Sequence, residues 1–224
     1  MLCPVRCAGA GYTAFDDELR KLGWVEGSNL TIERRGSEGR YERLPDLAAE
    51  LVRSRPDLIV AATSQPARAA KDVTSEIPIV FSFVGDPVGV GLVQSLARPG
   101  GNVTGVTSLV PGAYNAKSFE IIKELLPNAQ RVAALTNPTN ESARLRMSLE
   151  VPMVSQLGLQ IEVIEVRAPE EIPGAVAKAK RLGADALVIV ADPILIIPPN
   201  RSNYPGPCGC AVWLIQDRDG PQRA

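Results

Sequence analysis

Apolar and polar positions along this chain follow two alternating rhythms. Residues 42–54 (ERLPDLAAELVRS) put Leu44, Leu47, Ala48, Leu51 and Val52 on one face of a 3.6-residue period, which predicts an amphipathic helix. The next segment, Asp57 to Ala62 (DLIVAA), is a continuous apolar run, the pattern of a strand covered on both faces in a parallel sheet. A helix is predicted from about Pro66 to Val73, and a strand from Ile77 to Phe83 (IPIVFSF). A further helix is expected from Val88 to Ala97, stopped by Arg98-Pro99-Gly100-Gly101, and a short strand with a central glycine from Asn102 to Val106. Upstream, Leu30-Thr31-Ile32 reads as one more short strand.

The rhythm breaks in the turn-rich stretch 107–114 and then restarts. Residues 115–126 predict a helix with Phe119, Ile122, Leu125 and Leu126 inward, ended by Pro127. Strands are expected at Arg131–Thr136, Gln160–Val166 and Asp185–Ala191. Helices are expected from an Asn140 cap to about Gln156 and from Pro169 to Leu182, with Pro152 and Pro173 interrupting or shifting their bounds. Strands separated by helices mean parallel βαβ units with right-handed crossovers. The fold class is therefore α/β, with two doubly wound parallel-sheet lobes. The first lobe takes residues 1–113 and a partial second lobe residues 114–197. Residues 198–224 form an irregular tail with no sustained period, which reads as a disordered end or a shifted frame.

Composition narrows the chemistry more than the fold. The 224 residues are 45% hydrophobic and 22% charged with a net charge of −1, which implies no general attraction to nucleic acid or to an anionic membrane. No apolar run reaches the roughly 18 residues of a bilayer span. The start, MLCPVRCAGAGYTAF, carries no apolar stretch of export-signal length. The absence of histidine removes Ser-His-Asp and Cys-His catalysis and imidazole zinc sites. Cys3, Cys7, Cys208 and Cys210 lack the spacing usual for a four-thiolate metal site, and they are read as incidental thiols. Gly85 to Gly91 (GDPVGVG) has no Lys-Ser/Thr pair, and Gly9-Ala10-Gly11 follows no strand, so neither is a phosphate loop. No cofactor, metal or catalytic residue is expected, and the chain is not read as an enzyme.

Ligands of open α/β sheets bind beyond the carboxyl ends of the strands. The residues expected there are Thr63, Ser64 and Gln65 after the first long strand, then Phe83 and Asp86, then Thr107. Asn137 and Asn140 follow the strand at 131–136, and Asp192 follows the last strand. These hydroxyls, amides and two carboxylates suit a small polar molecule. Ser64-Gln65-Pro66 opens a helix, where free N–H groups favour an anion such as a carboxylate. Ser64 and Asn140 also fit plain helix caps, and Asp86-Pro87 and Asp192-Pro193 plain turns.

Several segments together resemble the ABC transporter substrate-binding family that includes tryptophan- and tyrosine-uptake candidates. They are GWVEGSNLTIERR, EGRYERLPDLAAELVRSRPDLIVA, IPIVFSFVGDPVGVGLVQSLARPGGNVTGVTSL, KSFEIIKELLPNAQRVAALTNPTN and GADALVIVADP, across about residues 12–197. The resemblance implies a type I periplasmic-binding fold whose two lobes close by a hinge around one small ligand. It implies a monomer that docks on ABC permease subunits of the membrane, at a periplasmic or cell-surface location. On that reading Thr63, Ser64, Gln65, Phe83, Asp86 and Thr107 line the first lobe's side, and Asn137, Asn140 and Asp192 the second's. Asp86 and Asp192 would meet an ammonium group and the Ser64–Pro66 helix start a carboxylate, which together describe an amino acid. The chain departs from the family at both ends. MLCPVRCAGAG stands where an export signal and an IGFL-type first strand are expected, and the tail after residue 197 replaces the end of the second lobe. A chain truncated at both ends, with its first strand missing, is the expectation. The alternatives are a ligand-sensing regulatory module of the same fold, or a non-functional fragment of such a protein. An enzyme on a related α/β fold is a third class, which the missing histidine and phosphate loop oppose.

Overall fold

The computed structural model describes residues 1–108 and 117–196, together with the backbone of 211–214. The chain divides into two compact units, Met1–Val110 and Pro111–Ala224.

The first unit is built around a five-stranded sheet. Its elements are β1 (Leu2–Cys3), α1 (Ala10–Lys21), β2 (Arg35–Gly36), α2 (Leu44–Arg53), β3 (Ile59–Ala62), α3 (Ser64–Val73), β4 (Ile79–Val84) and β5 (Val103–Thr107). The strand order is β2-β1-β3-β4-β5, with every pairing parallel. Ile59 pairs with Ile79, and Ile79 with Val103, so the apolar runs lie side by side in the core. The predicted face of α2 packs inward through Leu44, Leu47, Ala48 and Leu51. The buried face of α3 is made of Ala67, Ala69 and Ala70, whose small side chains let the helix lie close to its neighbours. Gly105 is required by a close approach, because a Cβ there would sit 2.1 Å from the Phe81 carbonyl oxygen.

Four expectations change in this unit. The first strand is present: Leu2 and Cys3 are fully buried and occupy an inner position of the sheet. The strand expected at Leu30–Ile32 lies instead at Arg35–Gly36. Residues 25–30 spend their backbone bonds locally, with the N–H groups of Ser28, Asn29 and Leu30 all donating to the Val25 carbonyl. Leu30 makes only an isolated bridge with Glu26. The helix expected at Val88–Ala97 is a compact turn. Leu92 and Val93 donate back to the Pro87 carbonyl, and Gly91 takes a left-handed φ of +69°, which ends any helical path. Val90, Leu92 and Val93 are still buried, so the apolar pattern was inward-facing without being helical. Finally, Cys3 and Cys7 are joined by a disulfide and are not free thiols.

The second unit contains α4 (Lys117–Leu125), β6 (Arg131–Thr136), α5 (Glu141–Gln156), β7 (Gln160–Glu165), α6 (Ile172–Arg181), β8 (Ala186–Ile189), α7 (Pro193–Ile196) and β9 (Ala211–Leu214). The sheet order is β7-β6-β8-β9. β6 pairs in parallel with β7 and β8, while β9 runs antiparallel on β8, with Leu187 opposite Trp213. Phe119 and Ile122 of α4 pack with Val132, Val154, Leu159, Ala186 and Val188. Leu125, expected inward, is 60% exposed. Asn140 caps α5, its Oδ1 accepting the Ala143 N–H at 3.1 Å. Pro152 does not interrupt α5, which continues through it, whereas Pro173 sits in the first turn of α6 after a 3-10 turn at Pro169–Glu171. The strand β9 corrects the reading of 198–224 as wholly irregular. Cys208 and Cys210 lie outside the described residues.

Candidate functional site

In a parallel sheet the carboxyl ends of all strands share one edge, so each sheet gathers its strand-following residues there. On the first sheet, Thr63 follows the end of β3 and Phe83 sits at the irregularity near the end of β4, each just past the Ala62–Ser82 pair. Both adopt left-handed backbone conformations, Thr63 with φ +75° and Phe83 with φ +56°. For non-glycine residues such conformations cost on the order of 1–3 kcal/mol each and persist where the surroundings impose them. The local cause is visible. The Thr63 N–H donates to the Ser82 carbonyl at 2.8 Å, and the β4–β5 register shifts between Ser82 and Val84, which turns Phe83 out of the ladder. Phe83 is consequently 74% exposed, an aromatic face held out at the sheet edge.

The remaining first-unit residues are tied into the same edge. Thr63 begins α3, with its Oγ1 3.5 Å from Gln65 Oε1. Ser64 is buried in the first helical turn. Gln65 Nε2 is a buried donor with no hydrogen-bond partner, a group that desolvation penalises until an acceptor arrives. Thr107 Oγ1 donates to the carbonyls of Val84 and Gly85 at 2.7 and 3.1 Å, which fastens the loop after β4 to the end of β5. Asp86 opens the turn that replaces the expected helix; its Oδ1 accepts the Gly89 N–H at 2.8 Å.

Two residues that the sequence reading passed over hold that turn. From α3, Arg68 Nη2 donates to the Val90 carbonyl. Lys71 Nζ donates to the carbonyls of Gly91 and Leu92 at 2.7 and 3.1 Å. Arg68 and Lys71 stand three residues apart on one helical face, a spacing legible in sequence, but the target is a set of backbone carbonyls and has no sequence signature.

The second sheet collects a different group. Asp192 is 1% exposed, and its Oδ2 accepts from Asn140 Nδ2 at 2.7 Å and from Asn137 Nδ2 at 3.2 Å. Its Oδ1 accepts the Ile194 N–H at 2.9 Å. Asn137 Oδ1 in turn accepts from the Thr139 N–H and hydroxyl at 3.0 and 2.8 Å. Asn137 and Asn140, from the end of β6, and Asp192, from the end of β8, are thus brought together as expected from their order. Asp192 is engaged by amide donors, however, and lies beneath the surface. Thr136, immediately before Asn137, adds a buried hydroxyl with no hydrogen-bond partner, which the sequence reading did not single out. Among the described residues no cluster of three or more His, Cys, Asp or Glu is placed to hold a metal ion.

The sequence model of the family described as ABC transporter substrate binding protein matches residues 9–197. A curated relative, the tyrosine-binding protein of Clostridioides difficile strain R20291, is 31% identical over 133 residues, which cover 59% of this chain and 38% of that protein. Among solved structures, the ABC domain from Streptococcus pneumonia in complex with L-Trp superposes with a TM-score of 0.73 at 26% identity, covering 87% of this chain and 65% of that one. A conserved domain protein from Vibrio cholerae gives 0.72 at 28% identity, with coverages of 82% and 62%. The chain therefore spans less than two thirds of the length of each of these relatives. Their fold is that of the type I periplasmic-binding proteins, and the second lobe of this chain is incomplete against it. With the family pattern running through 189 consecutive positions from residue 9 to 197, this chain belongs to the ABC transporter substrate-binding protein family.

Proposed function

We propose that this chain is the solute-binding component of an ABC import system and that it takes a small zwitterionic ligand, an aromatic amino acid in the first instance. The observation that carries the reading is the pair of strained residues Thr63 and Phe83 on adjacent strand ends of the first sheet. Backbone strain and a largely exposed aromatic ring contribute nothing to an isolated lobe, and both are accounted for if the ring packs on a ligand. The start of α3, with Thr63, Ser64 and the Gln65 Nε2 donor that no group among the lobe's described residues accepts from, suits the ligand carboxylate. Asp86 receives the ammonium group, while Thr107 holds the Asp86 loop in place. From the second lobe, the linked group of Asn137, Asn140 and Asp192 is assigned to the ligand as one polar unit, with Asp192 holding both amides in place. The tyrosine-binding and L-Trp-bound relatives favour an aromatic side chain. The protein works as a monomer outside the cytoplasm, delivers its ligand to membrane permease subunits, and performs no chemistry on it.

The test is thermal unfolding of the purified chain, followed by circular dichroism, with L-Trp, L-Tyr, L-Phe and L-Leu, and with tryptamine and indole-3-propionate as controls lacking one charge. A ligand at 100 times its dissociation constant stabilises the fold by about 2.7 kcal/mol. The expected result is a raised transition with L-Trp or L-Tyr and none with either control. A cooperative transition that no amino acid moves would overturn the reading.

A further inference from the structure

We propose that the Cys3–Cys7 disulfide is a redox-controlled staple that holds β1 inside the first sheet, so that β1 and its β2 neighbour loosen when this bond is reduced. β1 is two residues long, yet it lies between β2 and β3. Its pairings are Leu2 with Arg35, Cys3 with Gly36, and Leu2 with Ala61. So short a strand carries little ladder of its own, and the helix that follows cannot anchor it, because α1 buries none of its side chains.

What fastens β1 is the loop beyond it. The Cys3 carbonyl accepts the Ser37 N–H at 3.1 Å, and the Pro4 carbonyl accepts Ser37 Oγ at 2.6 Å and the Gly39 N–H at 2.9 Å. The loop then folds back so tightly over β2 that a Cβ on Gly36 would lie 2.3 Å from the Val5 carbonyl oxygen. Cys7 completes the return. Its sulfur rests 3.4 Å from the Arg35 carbonyl and 3.9 Å from that of Met1, and it is bonded to the fully buried Cys3. Because β1 runs parallel to β3, this loop leaves β1 on the same sheet edge as Thr63–Gln65. Loosening it therefore reaches the groups assigned above to the ligand carboxylate, although the staple does not depend on that assignment.

Reduction is a two-electron exchange. Dithiothreitol attacks the more accessible Cys7 sulfur, the electron pair of the broken bond leaves on Cys3, and the reagent's second thiol closes it to a cyclic disulfide, releasing Cys3 and Cys7 as thiols. Such a bond persists in an oxidising compartment and is lost in a reducing one.

The experiment uses the chain carrying Cys208→Ser and Cys210→Ser, which prevents exchange with the other two cysteines. Trypsin cuts after Arg6, so a non-reducing digest of the oxidised protein yields Met1–Arg6 linked to Cys7–Arg20, identifiable by mass. With dithiothreitol the unfolding midpoint should fall by on the order of 8 °C. Hydrogen exchange should rise at Leu2–Cys3 and Arg35–Ser37. The Cys3→Ala/Cys7→Ala variant should match the reduced protein and ignore the reagent. Should that variant not fold, the reduced and oxidised forms of the parent chain carry the comparison. Separately alkylated Cys3 and Cys7 peptides from protein purified without reductant would overturn the proposal. So would a linked pair whose reduction changes neither midpoint nor exchange. Ligand binding is not among these readouts, so their outcome is independent of the assigned transport role.

Discussion

Asn140 and Asp192 meet at 2.7 Å across the carboxyl edge of the second sheet, the amide Nδ2 donating to the buried carboxylate while the amide oxygen caps α5. One side chain thus joins a helix start to the end of a strand 52 residues away in sequence.

Replacing Asp192 by Ala removes the acceptor of the Asn137 and Asn140 amides and of the Ile194 N–H. Buried donors left without partners each cost about 1–3 kcal/mol, so the ligand-free second lobe should lose on the order of 3 kcal/mol, read by urea denaturation. Asp192→Asn keeps the shape but turns an acceptor into a donor and should lose less. An unchanged denaturation midpoint in Asp192→Ala would mean that the carboxylate does not hold the amides.

Phe83 should separate stability from binding. Its ring is exposed and its φ is +56°, so Phe83→Gly removes the backbone penalty and should stabilise the ligand-free chain by about 1 kcal/mol. The same change should weaken binding of the best amino acid about tenfold, through loss of an aromatic contact. Titration calorimetry and thermal unfolding of the same preparation check both halves. A Phe83→Gly protein that is less stable would show that the ring is anchored by contacts of its own.

Glu150 lies on the buried face of α5, 1% exposed, with Oε1 2.6 Å from Arg146 Nε and Oε2 unpartnered. Truncating Glu150 removes this buried, hydrogen-bonded ion pair and leaves a void on the buried face of α5. Glu150→Ala should therefore cost about 3 kcal/mol, whereas Arg146→Met with Glu150→Leu should be close to neutral. Denaturant unfolding of both variants tests this, and equal losses in the two would contradict it.

The helix α1 hangs on Arg34. The guanidinium donates to both oxygens of Asp16 at 3.0 Å and to Glu26 at 2.8 Å, while no α1 side chain is buried. Arg34→Ala should raise hydrogen exchange throughout Ala10–Lys21 and leave the global midpoint nearly unchanged. The hydrogen bond from Arg34 holds the Glu26 carboxyl below its ordinary range. A depressed carboxyl contributes above the ordinary glutamate range and loses that contribution as pH falls through its folded value. Protection of the Val25–Leu30 segment that carries Glu26 should accordingly weaken in acid in the parent chain and show less pH dependence in Arg34→Ala.

Much of this protein was legible in the residue pattern. The βαβ order, the buried faces of α2 and α4 at Leu47, Leu51, Phe119 and Ile122, and the Asn140 cap follow from period, run length and cap chemistry, all of which act within a few residues. The family pattern rests on the same local record. What tertiary structure decided are the features that local physics leaves open. Leu2–Cys3 is too short to read as a strand until β2 and β3 supply its partners. The inward pattern of Val90, Leu92 and Val93 suits a helix until Pro87, Gly91 and the bonds from Arg68 and Lys71 make it a turn. Asp192 reads as a carboxylate just past a strand end, and only the fold brings the Asn137 and Asn140 amides to it. A strand's existence, a loop's path and a carboxylate's partner are each set by atoms brought from elsewhere in the chain, and the residues themselves carry no mark of which atoms those will be.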